Sequence, residues 1–160
     1  MLRQVIGLAA WLLATFVAAA IGAIASVEAA AFYLQLARPA WAPPAGVFGP
    51  VWSVLYTLIA VAAYRVWRKG GFHLHRTALV LFLVQLVLNA LWSWLFFAWH
   101  RGALAFVDIS LLLVTIVGTL IAFWRADRPA GLLFTPYVAW VLFASALNFA
   151  VWQLNPQALG

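Results

Sequence analysis

The sequence predicts an all-α membrane protein, a bundle of five transmembrane helices, on three observations. Of its 160 residues 68% are hydrophobic and only 8% charged, whereas a soluble domain carries about 25% charged residues. Five apolar stretches of roughly 20 residues fill most of the chain, each long enough at about 1.5 Å per residue to cross roughly 30 Å of hydrocarbon. The runs are too continuous for the alternation of a barrel strand. In hydrocarbon every backbone N–H and C=O must pair within its own element, which leaves helices. The spans read as 5–26, 47–67, 77–99, 103–124 and 130–152, in one domain over residues 1–160.

The first span follows Arg3 and ends Ala23-Ile24-Ala25, a pattern shared with cleaved secretory signals. Its apolar run is longer than a typical signal core, so a retained helix is expected. Ala18, Gly22 and Ser26 form a small-xxx-small ladder on it, suited to close helix contact inside the bundle or between protomers. The connection 27–46 is long for a bundle and contains Pro39-Ala40-Trp41-Ala42-Pro43-Pro44. Prolines fix their own φ and keep the preceding residue out of helix, so the segment should be stiff and extended. Two roles remain open for it: a lid over the outer end of the bundle, or an interfacial segment with Trp41 and Tyr33 among head groups.

The second span runs inward, placing Trp52 and Tyr56 within about two turns of its outer end. His73 and His75 precede the third span in a basic loop; with no third ligand nearby they read as interfacial, and no metal site is expected. The third span runs outward, so Asn89 lies roughly 16 Å below His100 and Trp92 one turn above Asn89. The fourth span carries Asp108 about 10 Å down, and the fifth carries Asn148 at about the same depth with Trp140 near the middle. Asp108 is a structural polar group that must be paired, hydrogen-bonded or neutral there.

Helical spacing places Trp52 with Tyr56, Asn89 with Trp92, and Trp140 with Ala144 and Asn148 on common faces. Pointing inward, those faces line an aromatic cavity with a few polar contacts, the make-up of a site for a flat, largely apolar ligand. The plainer alternative makes Asn89, Asn148 and Asp108 interhelical hydrogen-bond glue. Trp11, Trp67, Trp99, Trp124 and Trp152 sit near span ends as an aromatic belt.

Lys and Arg set the orientation. Arg3, Arg65, Arg68, Lys69, Arg76, Arg125 and Arg128 fall on one side and only Arg38 and Arg101 on the other, which puts the N-terminus in the cytoplasm and the C-terminus outside. The net charge of +6 is therefore a topology signal, and no nucleic-acid partner is implied. The absence of cysteine excludes disulfides, thiolate metal sites and cysteine-linked haem. No nucleotide motif or row of embedded acids supports a pump.

The succession Trp41-Ala42-Pro43-Pro44, Phe48-Gly49-Pro50-Val51-Trp52, Leu55-Tyr56, Gln85 to Asn89, Phe96-Phe97, Val107-Asp108, Pro136-Tyr137-Val138-Ala139-Trp140, Phe143-Ala144 and Leu147-Asn148 resembles the TspO/MBR family. These are the tryptophan-rich sensory proteins of bacteria and the translocator protein, or peripheral-type benzodiazepine receptor, of mitochondria. The resemblance extends from Tyr33 to Trp152 and implies a five-helix bundle, commonly a homodimer. Such a protein binds porphyrins such as protoporphyrin IX and benzodiazepine-type drugs, and regulates tetrapyrrole traffic or stress sensing. No obligatory cofactor is implied, with the tetrapyrrole as ligand.

Carried over by position, the pocket would use Trp41, Trp52, Tyr56, Asn89, Trp92, Trp140, Ala144 and Asn148. In some bacterial members the tryptophans matching Trp52 and Trp140 are implicated in light- and oxygen-dependent porphyrin breakdown, so those two are the catalytic candidates if this chain is an enzyme. A sterol or membrane lipid is the alternative partner. The cholesterol-recognition segment of the animal proteins needs a tyrosine and then a basic residue on the fifth helix, where this chain has Phe149 and Gln153. The family form suggests a bacterial cell membrane, the inner one favoured over the outer.

Overall fold

The computed structural model describes residues 2–160 and is helical throughout, with no strand among the described residues. The first span is α1 (Leu2–Ala25), followed by a short helix α2 (Ala29–Gln35) and a 3-10 turn at Ala45–Val47. Then come α3 (Phe48–Arg68), α4 (Gly71–Ser93), which runs on into a π turn at Trp94–Ala98, α5 (Gly102–Ala126), α6 (Arg128–Leu154) and a terminal turn α7 (Pro156–Leu159). Five of these segments are long and apolar enough to cross a membrane: Leu2–Ala25, Ala45–Arg68, Gly71–Ala98, Gly102–Ala126 and Arg128–Leu154. The protein is thus a multi-pass membrane protein. Large apolar side chains such as Leu13, Val87, Val114 and Leu142 are exposed on the outside of the bundle, where acyl chains are the solvent.

The long helices close into a ring. α1 packs against α3 and α4, α3 against α6, α6 against α5, and α5 back against α4. Apart from the 27–46 connection, the links between the long helices are short. α3 and α4 are joined through Lys69 and Gly70, whose φ of +145° and a Cβ that would fall 2.4 Å from Leu74 admit only glycine. Between α5 and α6 stands Asp127 alone, with Pro129 in the first turn of α6, a position where the missing N–H costs nothing. Pro136 lies inside α6 and is carried by the packing around it.

Two departures from the sequence reading concern local structure. The first half of the 27–46 connection is not extended: Ala29-Ala30-Ala31 starts a helix, alanine being the best helix former. That helix stops at Gln35, and Leu36 turns extended with ψ of 143°, three residues ahead of Pro39, whose ring restricts only Arg38 before it. The third span begins at Gly71, so His73 and His75 belong to the first turns of α4 rather than to a loop, with a break in helical geometry at His75.

The main core runs through all five long helices around Phe82, Phe123, Phe134 and Tyr137. A smaller cluster of Leu36, Phe96, Ala105, Leu147, Val151 and Leu159 seals the end nearest the 27–46 connection. At that end Asn155 accepts from the Ala37 amide and donates to the Ala37 carbonyl, both at 2.8 Å, strapping the connection to the end of α6. At the opposite end Asp127 meets Arg65 Nε at 2.7 Å and Lys69 Nζ at 2.8 Å, pinning the α5–α6 corner to α3.

Candidate functional site

A cavity of about 340 Å³ lies at the end of the bundle that carries the 27–46 connection, walled by α1, α3 and α4 and roofed by α2 and the 3-10 turn. Its room comes from one face of α1. Ala19, Gly22, Ala23 and Ser26 line it at helical spacing, so no side chain longer than a hydroxymethyl enters from that side. The ladder found in the sequence therefore faces the cavity at Gly22 and Ser26, while Ala18 packs on the main core. A Cβ on Gly22 would approach Ser93 Oγ to 3.1 Å, which is how closely α1 meets α4. Ser26 donates its hydroxyl to Gly22 O and so adds no free donor.

The facing walls are aromatic. Trp52 and Tyr56, one turn apart on α3, lie with ring centroids 5.4 Å from each other, and Trp92 and Phe97 rise from α4 and its π turn. Tyr33 and Phe48, in edge contact at 5.5 Å, supply the roof. Tyr33 is buried and donates to Pro43 O at 3.0 Å, so it belongs to the protein interior rather than to the head groups. Burial raises its hydroxyl pKa, although Arg38 alongside pulls the other way. It stays a neutral donor. Phe32 of α2 stacks on His100 at 4.1 Å, fixing the roof to the α4–α5 corner.

Of the residues singled out in the sequence, Trp52, Tyr56, Asn89 and Trp92 all line this one cavity. Asn148 stands behind the wall, accepting from Trp92 Nε1 at 2.9 Å and donating to Gly102 O at 3.3 Å, so it orients the Trp92 indole. Trp140 is one ring away: it meets the cavity residue Phe48 edge-on at 6.0 Å, and its Nε1 is buried with no partner among the described residues. Trp41 is 51% exposed and contacts Phe143 at 5.7 Å. Ala144 packs against the core outside the wall. Asp108 is buried on α5 with Oδ2 unpartnered among the described residues, away from this cavity.

Sequence reasoning missed the two deepest polar members. Tyr137 of α6 and Gln85 of α4 are fully buried and hydrogen-bonded to each other at 2.7 Å, and Tyr137 accepts from Asn89 at 2.8 Å. The i, i+4 spacing of Gln85 and Asn89 was the available signal; Tyr137 stood only within the succession Pro136-Tyr137-Val138-Ala139-Trp140, with no role assigned to it.

Residues 8–153 match the TspO/MBR family. The chain is 43% identical over 129 residues to the tryptophan-rich protein TspO of Chlorobaculum tepidum, covering 78% of this chain and 80% of that one. It is 41% identical over 152 residues to the protein CrtK of Rhodobacter capsulatus, 92% of each chain. To the human translocator protein it is 36% identical over 130 residues, 80% of this chain and 77% of the other. The chain therefore belongs to the TspO/MBR family.

Proposed function

We propose that this member of the TspO/MBR family is a membrane receptor of translocator type, which binds protoporphyrin IX or a related tetrapyrrole in the cavity beneath the 27–46 connection and so affects tetrapyrrole traffic. The observation that carries the reading is the wall itself: Trp52, Tyr56, Trp92, Phe97 and Phe48 on one side and only small residues of α1 on the other. A slot with aromatic faces opposite a smooth helix suits a flat apolar ring system, and about 340 Å³ is within the usual range for such sites. Benzodiazepine-type drugs meet the same description. By the positive-inside rule the slot opens on the non-cytoplasmic side, since Arg65, Arg68 and Lys69 lie at the far end of α3. A homodimer in a bacterial cell membrane is the expected form.

A second reading has one observation in its favour. Trp52 lines the cavity and Trp140 adjoins it through Phe48, so two oxidisable indoles lie within reach of a bound porphyrin in light and oxygen. Sterol binding draws no comparable support, because Phe149 and Gln153 replace the tyrosine and the basic residue.

The test is a titration of detergent-purified protein with protoporphyrin IX, read by tryptophan quenching in the dark and by the porphyrin spectrum under light. Saturable quenching that falls at least tenfold in affinity in Gly22→Leu, whose side chain fills the slot, is the expected result. Non-saturable quenching equal in both proteins overturns the receptor reading. Spectral loss under light that disappears in Trp140→Phe with binding retained adds the enzymatic role.

A further inference from the structure

Four polar side chains are joined in single file from the cavity wall into the core. The Tyr56 hydroxyl donates to Asn89 Oδ1 at 2.6 Å, Asn89 Nδ2 donates to the Tyr137 hydroxyl at 2.8 Å, and Tyr137 donates to Gln85 Oε1 at 2.7 Å. Every proton points the same way, from the cavity into the core. Tyr56 and Asn89 line the cavity, whereas Tyr137 and Gln85 are fully buried beyond it. The file ends at Gln85, whose Nε2 has no partner among the described residues.

That direction decides what a ligand meets. A tyrosine has one O–H to give, and Tyr56 has committed it to Asn89. Its oxygen then has only lone pairs to offer a ligand that reaches it. Turning both amides over would preserve the same three contacts with every proton reversed, and Tyr56 would then donate into the cavity. Hydroxyls and primary amides support either direction. The structure adopts the first direction: Gln85 Oε1 takes the proton of Tyr137, which in the reversed file would go to Asn89 Oδ1.

We propose that Gln85 is a positioning residue that sets the floor of the cavity as a hydrogen-bond acceptor, so that the site selects flat apolar ligands presenting an N–H or O–H donor to Tyr56. The inference rests on the reading of this cavity as a site for flat aromatic ligands. It adds the polarity of the ligand edge that faces Tyr56. It also assigns a specificity role to a side chain that no ligand touches.

Two pairs of three-ring probes of matched outline test it: carbazole, with an N–H, against fluorene, with none; and acridine, with a ring-nitrogen acceptor, against anthracene. Dissociation constants are read by tryptophan quenching on the purified full chain. Carbazole should bind wild type about fivefold tighter than fluorene, the contribution of one ordinary hydrogen bond. In Gln85→Met, which keeps volume and removes the terminal acceptor, Tyr137 turns its proton to Asn89 and the file reverses. The carbazole advantage then falls to parity, and the ratio favouring acridine over anthracene rises above its wild-type value. A merely structural Gln85 would weaken all four probes together and leave both ratios unchanged, which overturns the proposal. Tyr56→Phe keeps the test decisive if Gln85→Met fails to fold: a carbazole advantage that survives there also overturns it. Absence of saturable binding by any probe is a different result, and sinks the reading of the cavity as an aromatic site.

Discussion

At the residue scale, the bundle depends on where it lacks side chains. Gly102 sits so close to the α6–α7 corner that a Cβ would lie 2.8 Å from the Trp152 ring and 2.9 Å from Leu159 Cβ, with the Leu159 carbonyl oxygen at 3.0 Å. Since the last of these is backbone, relaxation requires the corner to move. Gly102→Ala should cost about 1–3 kcal/mol, measured as a lowered melting temperature in detergent. A Gly102→Ala protein as stable as wild type would show the corner to be loosely held. Single residues also mark the limit of the sequence reading. Trp52, Tyr56, Asn89 and Trp92 were placed by depth and face, because a helix with a known direction fixes both. Trp140, Ala144 and Asn148 share a face of α6, yet that face looks past the cavity wall toward the Phe48 and Trp92 rings. Helical periodicity gives which residues point together, and only the packing of neighbours decides at what.

At the scale of elements, all five spans were legible, since each needs only length and hydropathy to declare itself. α2 was not, because prolines later in the same connection masked an alanine-rich start. Neither was the pin at the end opposite the 27–46 connection, as Asp127 is remote in sequence from Arg65 and Lys69. Burial alone would raise the Asp127 pKa, but hydrogen bonds and charge from Lys69 and Arg65 outweigh it and hold the carboxyl below its ordinary value. A carboxylate with a depressed folded pKa contributes stability that is complete above the unfolded value of about 3.9 and is lost as pH falls through the folded one. Melting temperature should therefore be level from neutral pH to about pH 5 and fall below about pH 4, with Asp127→Asn lower at neutral pH and flatter in acid. Parallel curves for the two proteins would remove the pin from the account.

At the scale of the whole molecule, the segments of the closed ring that are long and apolar enough to cross a membrane number five among the described residues, so the expectation is that Arg38 and Lys69, on either side of α3, face opposite sides of the membrane. The cysteine-free sequence makes this directly measurable: single cysteines at Lys69 and at Arg38 should be labelled by an impermeant maleimide from opposite sides of sealed vesicles, Arg38→Cys from the outside of intact cells. Labelling of both from one side would contradict the crossing by α3, and labelling with the sides exchanged would reverse the orientation argued from arginine and lysine.

The position of the cavity in that ring bears on how the molecule comes together. α1 docks into the angle between α3 and α4, consecutive helices joined through Lys69 and Gly70, and the cavity is the seam left along that contact because α1 brings only small side chains to it. A molecule occupying the seam touches both sides of it, so its binding free energy is available only once α1 has docked. On the proposed function, the ligand is then a stabiliser of tertiary assembly, and a chain divided within the connection after α1 should reassemble more tightly as ligand concentration rises.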